Sequence, residues 1–125
     1  MEAQYVFRAR LHLESERPDV HLEPSTAEPT VTVFFDAAEP GTDGWKFFRE
    51  TLWRGEVNDE AYGRTLLEEW LGEPVESVSF RELQVDEAYF EAFKDEIAGD
   101  LEAFNADDVS SVLSKYFGSS IRVLE

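Results

Sequence analysis

The stretch QYVFRARLHL, residues 4–13, alternates apolar and polar side chains along its whole length. Successive side chains of a β-strand point to opposite faces of the sheet, so a period of two predicts a strand with one buried face. The buried face would carry Tyr5, Phe7, Ala9, Leu11 and Leu13. The other face would carry Val6, Arg8, Arg10 and His12.

A second alternating stretch, residues 30–36, places Val31, Val33 and Phe35 on one side. It most simply pairs antiparallel with the first strand. The connection between them, residues 14–29, is polar and contains three prolines, which predicts a long loop with a short extended piece at 20–22.

Helical spacing appears after the turn at residues 39–44. In residues 45–53, WKFFRETLW, the apolar side chains recur at three and four residues and predict a short helix with Asp43 as its N-cap. Asn58 is predicted to cap a second helix that ends at Gly72, with the apolar stripe Tyr62, Leu66 and Trp70.

The second half of the chain is predicted to contain two strands and two helices, in the order β-α-α-β. Residues 76–83 predict a strand, and Asp86 is expected to begin a long helix with the core face Phe90, Phe93, Ile97, Leu101 and Phe104. Asn105 and Asp108 resemble a capping box for a last helix that ends at Gly118. A final strand over residues 119–124 points Arg122 outward.

The order β-β-α-α-β-α-α-β predicts an α+β fold: a four-stranded, largely antiparallel sheet with helices packed on one face. At 125 residues the chain fits a single domain, 1–125. The sequence fixes neither the strand order nor whether every pair is antiparallel.

Charge is the strongest feature of the composition. Asp and Glu number 28 against 11 Lys and Arg, which gives a net charge of −17, yet 42% of residues are hydrophobic. At molar salt the Debye length falls to roughly 3 Å, so repulsion between carboxylates is screened while the surface stays hydrated. With only three lysines, we expect a folded cytoplasmic protein of a salt-accumulating organism. The alternative is an acidic partner for a basic protein.

No apolar run approaches the ~20 residues of a membrane span, and the N-terminus lacks the order of a signal peptide. We therefore expect a soluble, intracellular protein without a membrane partner. The absence of cysteine excludes disulfides, thiolate metal sites and cysteine nucleophiles.

Three stretches together resemble a known family: FFRETLWRGEVNDEAYGRTLLEEWLG, ESVSFREL and FNADDVSSVLSKYFGSSIRV. They are similar to the LWR-salt proteins, a small haloarchaeal family named for the triplet Leu52-Trp53-Arg54 and the acidic composition. The resemblance covers most of the chain and is weakest over residues 14–29. It implies a haloarchaeal source and a cytoplasmic location, and it implies no catalytic residue.

The triplet lies in TLWRGEVND, residues 51–59, and allows two interpretations. In the structural one, Trp53 completes the apolar face of a helix, Gly55 makes a bend, and Arg54 meets exposed carbonyls at the helix end. In the functional one, Trp53 and Arg54 form a stacking and anion-binding pair for a ligand or partner.

A second candidate is the side of the sheet opposite its core. Alternation places Arg8, Arg10, Arg81 and Arg122 there with His12, which is half of the eight arginines, while Glu82 should point the other way. The structural interpretation is that these arginines pair with nearby carboxylates and cover the sheet with their stems.

Two functions compete with that interpretation. In the first, the arginine face binds an unknown protein partner or the same face of another subunit, with Phe34 and Leu83 beside it and Thr30, Thr32 and Ser79 at the rim. Alternatively it binds phosphate or RNA, although a charge of −17 repels polyanions and makes nucleic acid an unfavourable partner.

An enzyme is the least supported class. His12 and His21 are the only imidazoles, and neither has a metal-ligand spacing. Acid pairs such as Asp107-Asp108 are better explained as helix starts. We expect no catalytic residue, no cofactor and no dedicated metal site, and only nonspecific hydrated cations at the acidic surface.

Overall fold

The computed structural model describes residues 1–14, 19 and 26–124. The extended piece predicted at 20–22, and His21 within it, lie outside these residues. Among the described residues, no helix combines the length and apolar character needed to cross a membrane.

The strands and helices follow the predicted order, with four short strands and a 3-10 helix in addition. In chain order they are β1 (Ala3–Leu11), β2 (Leu13–Glu14), β3 (Thr26–Ala27), β4 (Thr30–Asp36), α1 (Phe47–Thr51), β5 (Leu52–Trp53), β6 (Glu56–Val57), α2 (Glu60–Leu71), β7 (Val75–Asp86), α3 (Glu87–Ala98), a 3-10 helix (Leu101–Phe104), α4 (Val109–Phe117) and β8 (Ile121–Leu124). The short strands form two separate pairs, β2 with β3 and β5 with β6.

The main sheet has the order β4-β1-β7-β8. Strand β1 pairs antiparallel with both β4 and β7, while β7 and β8 are parallel. A parallel pair needs a long crossover connection, and α3, the 3-10 helix and α4 supply it. The predicted α+β class is confirmed, and the sheet is mixed with two of its three pairs antiparallel.

The helices cover one face of this sheet, as predicted. Tyr5 and Phe7 of β1 make edge contacts with Phe47 of α1, at ring-centroid distances of 4.8 and 6.5 Å. Phe7 also meets Trp70 of α2 at 6.1 Å. The buried side chains form one connected cluster, with Phe48 of α1 fully buried in it. We call this side of the sheet the core face and the opposite side the outer face.

The first two helices begin at other residues than predicted. Helix α1 covers only Phe47–Thr51 and follows Lys46, so Asp43 is not its N-cap. The N-cap of α2 is Asp59, whose carboxylate accepts the Tyr62 N–H at 3.2 Å. Asn58, the predicted cap, lies one residue before this N-cap, and its own N–H donates to the Thr51 carbonyl at 2.7 Å.

The buried stripe of α2 is also displaced from the prediction. Gly63 and Leu67 are its buried residues, whereas Tyr62 is 47% exposed. A Cβ at Gly63 would lie 2.9 Å from Val57 Cγ1 and 3.1 Å from Val78 Cγ1. The glycine therefore lets α2 approach the sheet closely, which an apolar-residue count does not register.

The second half of the chain follows the prediction more closely. Asp86 caps α3 through the Tyr89 N–H at 2.7 Å. The long helix is interrupted after Ala98, and a 3-10 turn carries the buried Phe104. Asn105 ends that turn with φ 55°, so it does not form a capping box with Asp108.

Asp108 alone caps α4, and this cap predicts a pH dependence. Its carboxylate accepts the Ser111 N–H at 2.7 Å, which lowers the pKa of Asp108 below its usual value. A carboxyl with a lower pKa in the folded state stabilises the fold above its unfolded pKa, about pH 4, and loses that contribution as the pH falls through the folded pKa.

We therefore expect Asp108→Ala to melt at a lower temperature than wild type at pH 7, and the difference to shrink below about pH 4. Melting curves of both proteins from pH 7 to pH 3 in molar potassium chloride measure this difference. A constant difference across that range would contradict the capping role of the ionised carboxylate.

Candidate functional site

Two arginines of β1 lie on the outer face at its centre. Register places Arg8 between Thr32 of β4 and Ser79 of β7. Arg10 lies between Thr30 and Ser77 in the same way. Residues paired across strands share a face, so two guanidinium groups are flanked by four hydroxyl side chains. We call these six residues the Arg8/Arg10 surface.

Both arginines are exposed. Within residues 1–14, 19 and 26–124, neither makes an ion pair. The structural interpretation required carboxylate partners, and among the predicted face residues it holds for Arg122, whose Nε lies 3.6 Å from Glu82 Oε2. The Arg8 and Arg10 guanidinium groups thus stand without a counterion inside the described part of the chain.

A β-bulge at Arg81 changes the predicted face. Val6 pairs with Glu82 and Phe7 pairs with Phe80, so Arg81 is the extra residue without a partner on β1. Such an insertion reverses the alternation beyond it. Glu82 therefore lies on the outer face beside Val6, and the prediction that it points the other way is wrong.

The same bulge moves Leu83 into the core. Leu83 pairs with Tyr5 and is fully buried, so it cannot lie beside the arginines as predicted. Phe34, the other predicted neighbour, pairs with Val6 on the outer face and is 55% exposed.

The four predicted arginines do not form one cluster. Arg122 pairs with Gln84, which pairs with Gln4, four residues along β1 from Arg8. At about 3.3 Å per residue and 4.8 Å per strand, Arg122 lies roughly 16 Å from Arg8 across the sheet. Arg81 is exposed at the bulge. The coherent patch is therefore the Arg8/Arg10 surface with Phe34 beside it.

His12 follows the end of β1 rather than joining this patch. Its N–H donates to the Pro74 carbonyl at 3.1 Å, and its Nδ1 lies 3.6 Å from Glu28 Oε1. The imidazole is thus placed beside a carboxylate of the residues that lead into β4.

The LWR triplet forms a β-hairpin instead of a helix end. Leu52 pairs with Val57 and Trp53 pairs with Glu56, which leaves Arg54 and Gly55 as a two-residue turn. Both have positive φ, 52° and 82°, as a type I′ turn requires. Arg54 is thus a non-glycine residue in the left-handed region, and a surrounding structure must hold it there.

Helix α4 supplies that structure through its C-terminal carbonyls. The Arg54 N–H donates to Lys115 O at 2.8 Å, and the Gly55 N–H donates to Tyr116 O at 2.9 Å. Gly118 N–H reaches Ser114 O at 3.0 Å, and Ser120 N–H reaches Phe117 O at 2.9 Å. All four carbonyls that a helix leaves unpaired at its end are therefore satisfied.

Two glycines allow this close approach of backbones. A Cβ at Gly55 would lie 2.8 Å from the Phe117 carbonyl oxygen. A Cβ at Gly118, which has φ 62°, would lie 3.2 Å from the Arg54 carbonyl oxygen. The turn and the end of α4 consequently form one packed unit. Arg54 is bound to α4 through its backbone N–H, and the hydrogen bonds that join the turn to the helix do not involve its side chain.

The side chains of Trp53 and Arg54 lie at the surface of this unit. Trp53 is 42% exposed, so the prediction that it completes a buried helix face is wrong; its neighbour in β5, Leu52, is fully buried. The Arg54 guanidinium and the Lys115 ammonium each lie 5.8 Å from the Trp53 ring. Lys115 also donates to Phe104 O at 2.8 Å.

Sequence reasoning missed Lys115 and the role of Gly118. Lys115 lies in the last turn of α4, where a lysine is typical of a helix C-terminus. Its contact with the Trp53 ring depends on the tertiary fold and has no local sequence pattern. Among the described residues, no three His, Asp or Glu side chains are grouped so that they could hold a metal ion.

The geometry defines a class: a small α+β protein with a mixed four-stranded sheet covered by helices on one face, whose LWR hairpin caps its last helix. A family model described as LWR-salt protein matches residues 1–125. The chain therefore belongs to the LWR-salt protein family. No curated protein and no solved structure matches it.

Proposed function

We propose that this protein is a non-enzymatic interaction module whose binding surface is the Arg8/Arg10 surface with Phe34. One observation carries the proposal: two exposed guanidinium groups without an ion pair among the described residues lie beside an apolar ring that is 55% exposed. Arginine and aromatic side chains dominate the energetics of protein interfaces. On a chain of charge −17 such a patch is complementary to carboxylates.

The LWR hairpin supports binding less well than the sheet face. Its backbone has a structural role at the end of α4, and its arginine stands close to its own tryptophan ring. The outer face carries no comparable set of contacts for Arg8 and Arg10 among the described residues. A partner would supply the missing ones.

We further propose that the protein works in the cytoplasm of a salt-accumulating cell. The net charge of −17 and the three lysines support this proposal. In dilute buffer the carboxylates repel one another over a Debye length of about 10 Å, whereas at molar salt that length is roughly 3 Å.

The charge predicts that the protein melts at a clearly higher temperature in molar potassium chloride than in 0.1 M, because screening removes self-repulsion of the folded state. Calorimetric melts at both salt concentrations measure the effect. Equal melting temperatures would contradict the salt-adaptation proposal.

Arg8→Glu is expected to abolish partner capture in molar potassium chloride, since it places a carboxylate where the partner's acidic groups would bind. Arg49→Glu is the matched control: it changes the charge by the same amount, and Arg49 is exposed on α1 in the helix layer. Tagged wild-type and variant proteins, incubated with a lysate at that salt, give the comparison by mass spectrometry.

Retention of the same partner by Arg8→Glu would contradict the proposed surface. Loss of the partner from Trp53→Ala/Arg54→Ala alone would assign binding to the LWR hairpin. Binding of labelled RNA by wild type at molar salt, lost on Arg8→Glu, would replace a protein partner with phosphate recognition.

A further inference from the structure

Strand β4 is an edge of the main sheet, and among the described residues no strand pairs with its outer side. The Leu11 N–H donates to Pro29 O at 2.9 Å, and the Ala37 N–H donates to Ala3 O at 3.0 Å. Leu11 with Pro29 and Ala3 with Ala37 are therefore hydrogen-bonded pairs of the β1–β4 ladder. Hydrogen-bonded pairs recur at every second residue of an antiparallel ladder, so the odd-numbered residues of β4 bond to β1. The N–H and C=O groups directed away from β1 therefore belong to Thr30, Thr32, Phe34 and Asp36.

Apart from the charge of Asp36 at its end, this edge lacks the devices that usually prevent strand addition. Strand β4 contains no lysine and no proline, and its register with β1 is unbroken from Thr30 to Asp36. Among the described residues, only β1 makes backbone hydrogen bonds with it. By contrast, the opposite edge strand, β8, has four residues and carries Arg122. A long, regular edge without lysine or proline is a template for pairing with another strand.

We propose that the occupant of this edge is the β4 strand of a second copy, which extends the sheet to eight strands across a two-fold axis at Val33. This inference rests on the proposed function, because it names the partner of the same surface. Antiparallel pairing about Val33 places Thr32 opposite the partner's Phe34 and Thr30 opposite the partner's Asp36. These are the residues whose backbone groups face the edge, so donors and acceptors match without any slip in register.

The side chains of the outer face are complementary in this register. Arg10, Thr30 and the partner's Asp36 fall in one row, with about 10 Å between the Cα atoms of the arginine and the aspartate. The two side chains together span that distance and bring opposite charges into contact. Asp36 otherwise accepts a hydrogen bond from Gln4 Nε2 at 3.0 Å, which leaves its carboxylate able to accept more.

A second row brings Arg8 to the exposed phenylalanine. Arg8, Thr32 and the partner's Phe34 align, which allows the guanidinium to lie over the partner's ring. The two copies of Phe34 become diagonal neighbours and shield each other from water. On the core face, Val31, Val33 and Phe35 are half-buried at the edge and would meet their symmetry mates.

Charge makes this association dependent on salt. Each copy carries −17, so repulsion opposes pairing in dilute buffer, and molar salt screens it while the contact pairs persist. We therefore expect a dimer at molar salt and no dimer at 0.1 M.

The test is multi-angle light scattering of the full chain in molar potassium chloride over a range of protein concentrations. Wild type is expected to be dimeric. Arg10→Glu and Asp36→Arg are each expected to raise the dissociation constant at least about tenfold, because each places like charges opposite one another at two symmetric points. The double variant Arg10→Glu/Asp36→Arg restores opposite charges and should recover the dimer.

Thr32→Pro tests the backbone, because Thr32 directs its N–H to the free edge and not to β1. It should be monomeric with cooperative melting. A wild type that stays monomeric overturns the inference; if Arg8→Glu still loses a different partner, the proposed function survives. A dimer retained by Thr32→Pro, or a double variant weaker than both single variants, also overturns it.

Discussion

Replacing Gly55 by alanine is expected to lower the free energy of unfolding by about 3 kcal/mol, roughly 10 °C in melting temperature. Gly55 has φ 82°, where an alanine is strained, and its new Cβ would lie 2.8 Å from the Phe117 carbonyl oxygen. Because that oxygen belongs to the backbone, the turn must withdraw. The hydrogen bonds from Arg54 and Gly55 to the end of α4 are then weakened together.

Gly72→Ala is the matched control for this substitution. Gly72 ends α2 with φ 70°, yet nothing lies within 4 Å of the position of its Cβ. Alanine there should cost about 1 kcal/mol, the backbone strain alone. Urea unfolding of both variants in molar potassium chloride gives the comparison. Equal losses would contradict the close packing of the LWR hairpin on α4.

Phe48→Ala is expected to lower the free energy of unfolding by about 3–5 kcal/mol and to leave the protein largely unfolded at low salt. Phe48 is fully buried. Its ring lies 5–6.5 Å from those of Trp45, Phe93, Phe104, Tyr116 and Phe117, at 6.2, 5.2, 5.5, 5.4 and 5.1 Å. Its removal opens a cavity at the junction of α1, α3 and α4, which rigid neighbours cannot fill.

Phe34→Ala is the matched control, because it removes an exposed phenylalanine instead of a buried one. Phe34 is 55% exposed on the outer face, so its loss should change the stability of the monomer by no more than about 0.5 kcal/mol. Urea titrations at low protein concentration measure both variants. A large loss for Phe34→Ala would mean that the ring is needed for folding rather than for binding.

The fold was largely predictable because its strands and helices alternate in long, regular patterns. The strand predicted over 30–36 matches β4, and Asp86 and Gly118 mark helix boundaries as expected. These features depend on local chemistry: alternation, an N-cap carboxylate and a glycine after the last turn. Strand order depends on tertiary packing, which alternation and capping residues do not specify.

The candidate sites were less predictable because each depends on one irregularity. The bulge at Arg81 exchanges the faces of Glu82 and Leu83, and no residue type at these positions predicts a bulge. At the LWR triplet, apolar spacing continued the helical pattern beyond Thr51, while the hairpin is stabilised by carbonyls of α4 that are distant in sequence. A turn of Arg-Gly is a weak hairpin signal beside Asn-Gly or Asp-Gly.

Hydrogen–deuterium exchange tests most directly whether the outer sheet face, and not the LWR hairpin, is the interaction surface. Exchange is followed in molar potassium chloride for the protein alone at low concentration and in its associated state, on peptides covering residues 30–36 and 51–57. We predict that association slows exchange in residues 30–36 and leaves residues 51–57 unchanged. Protection confined to residues 51–57 would contradict the account.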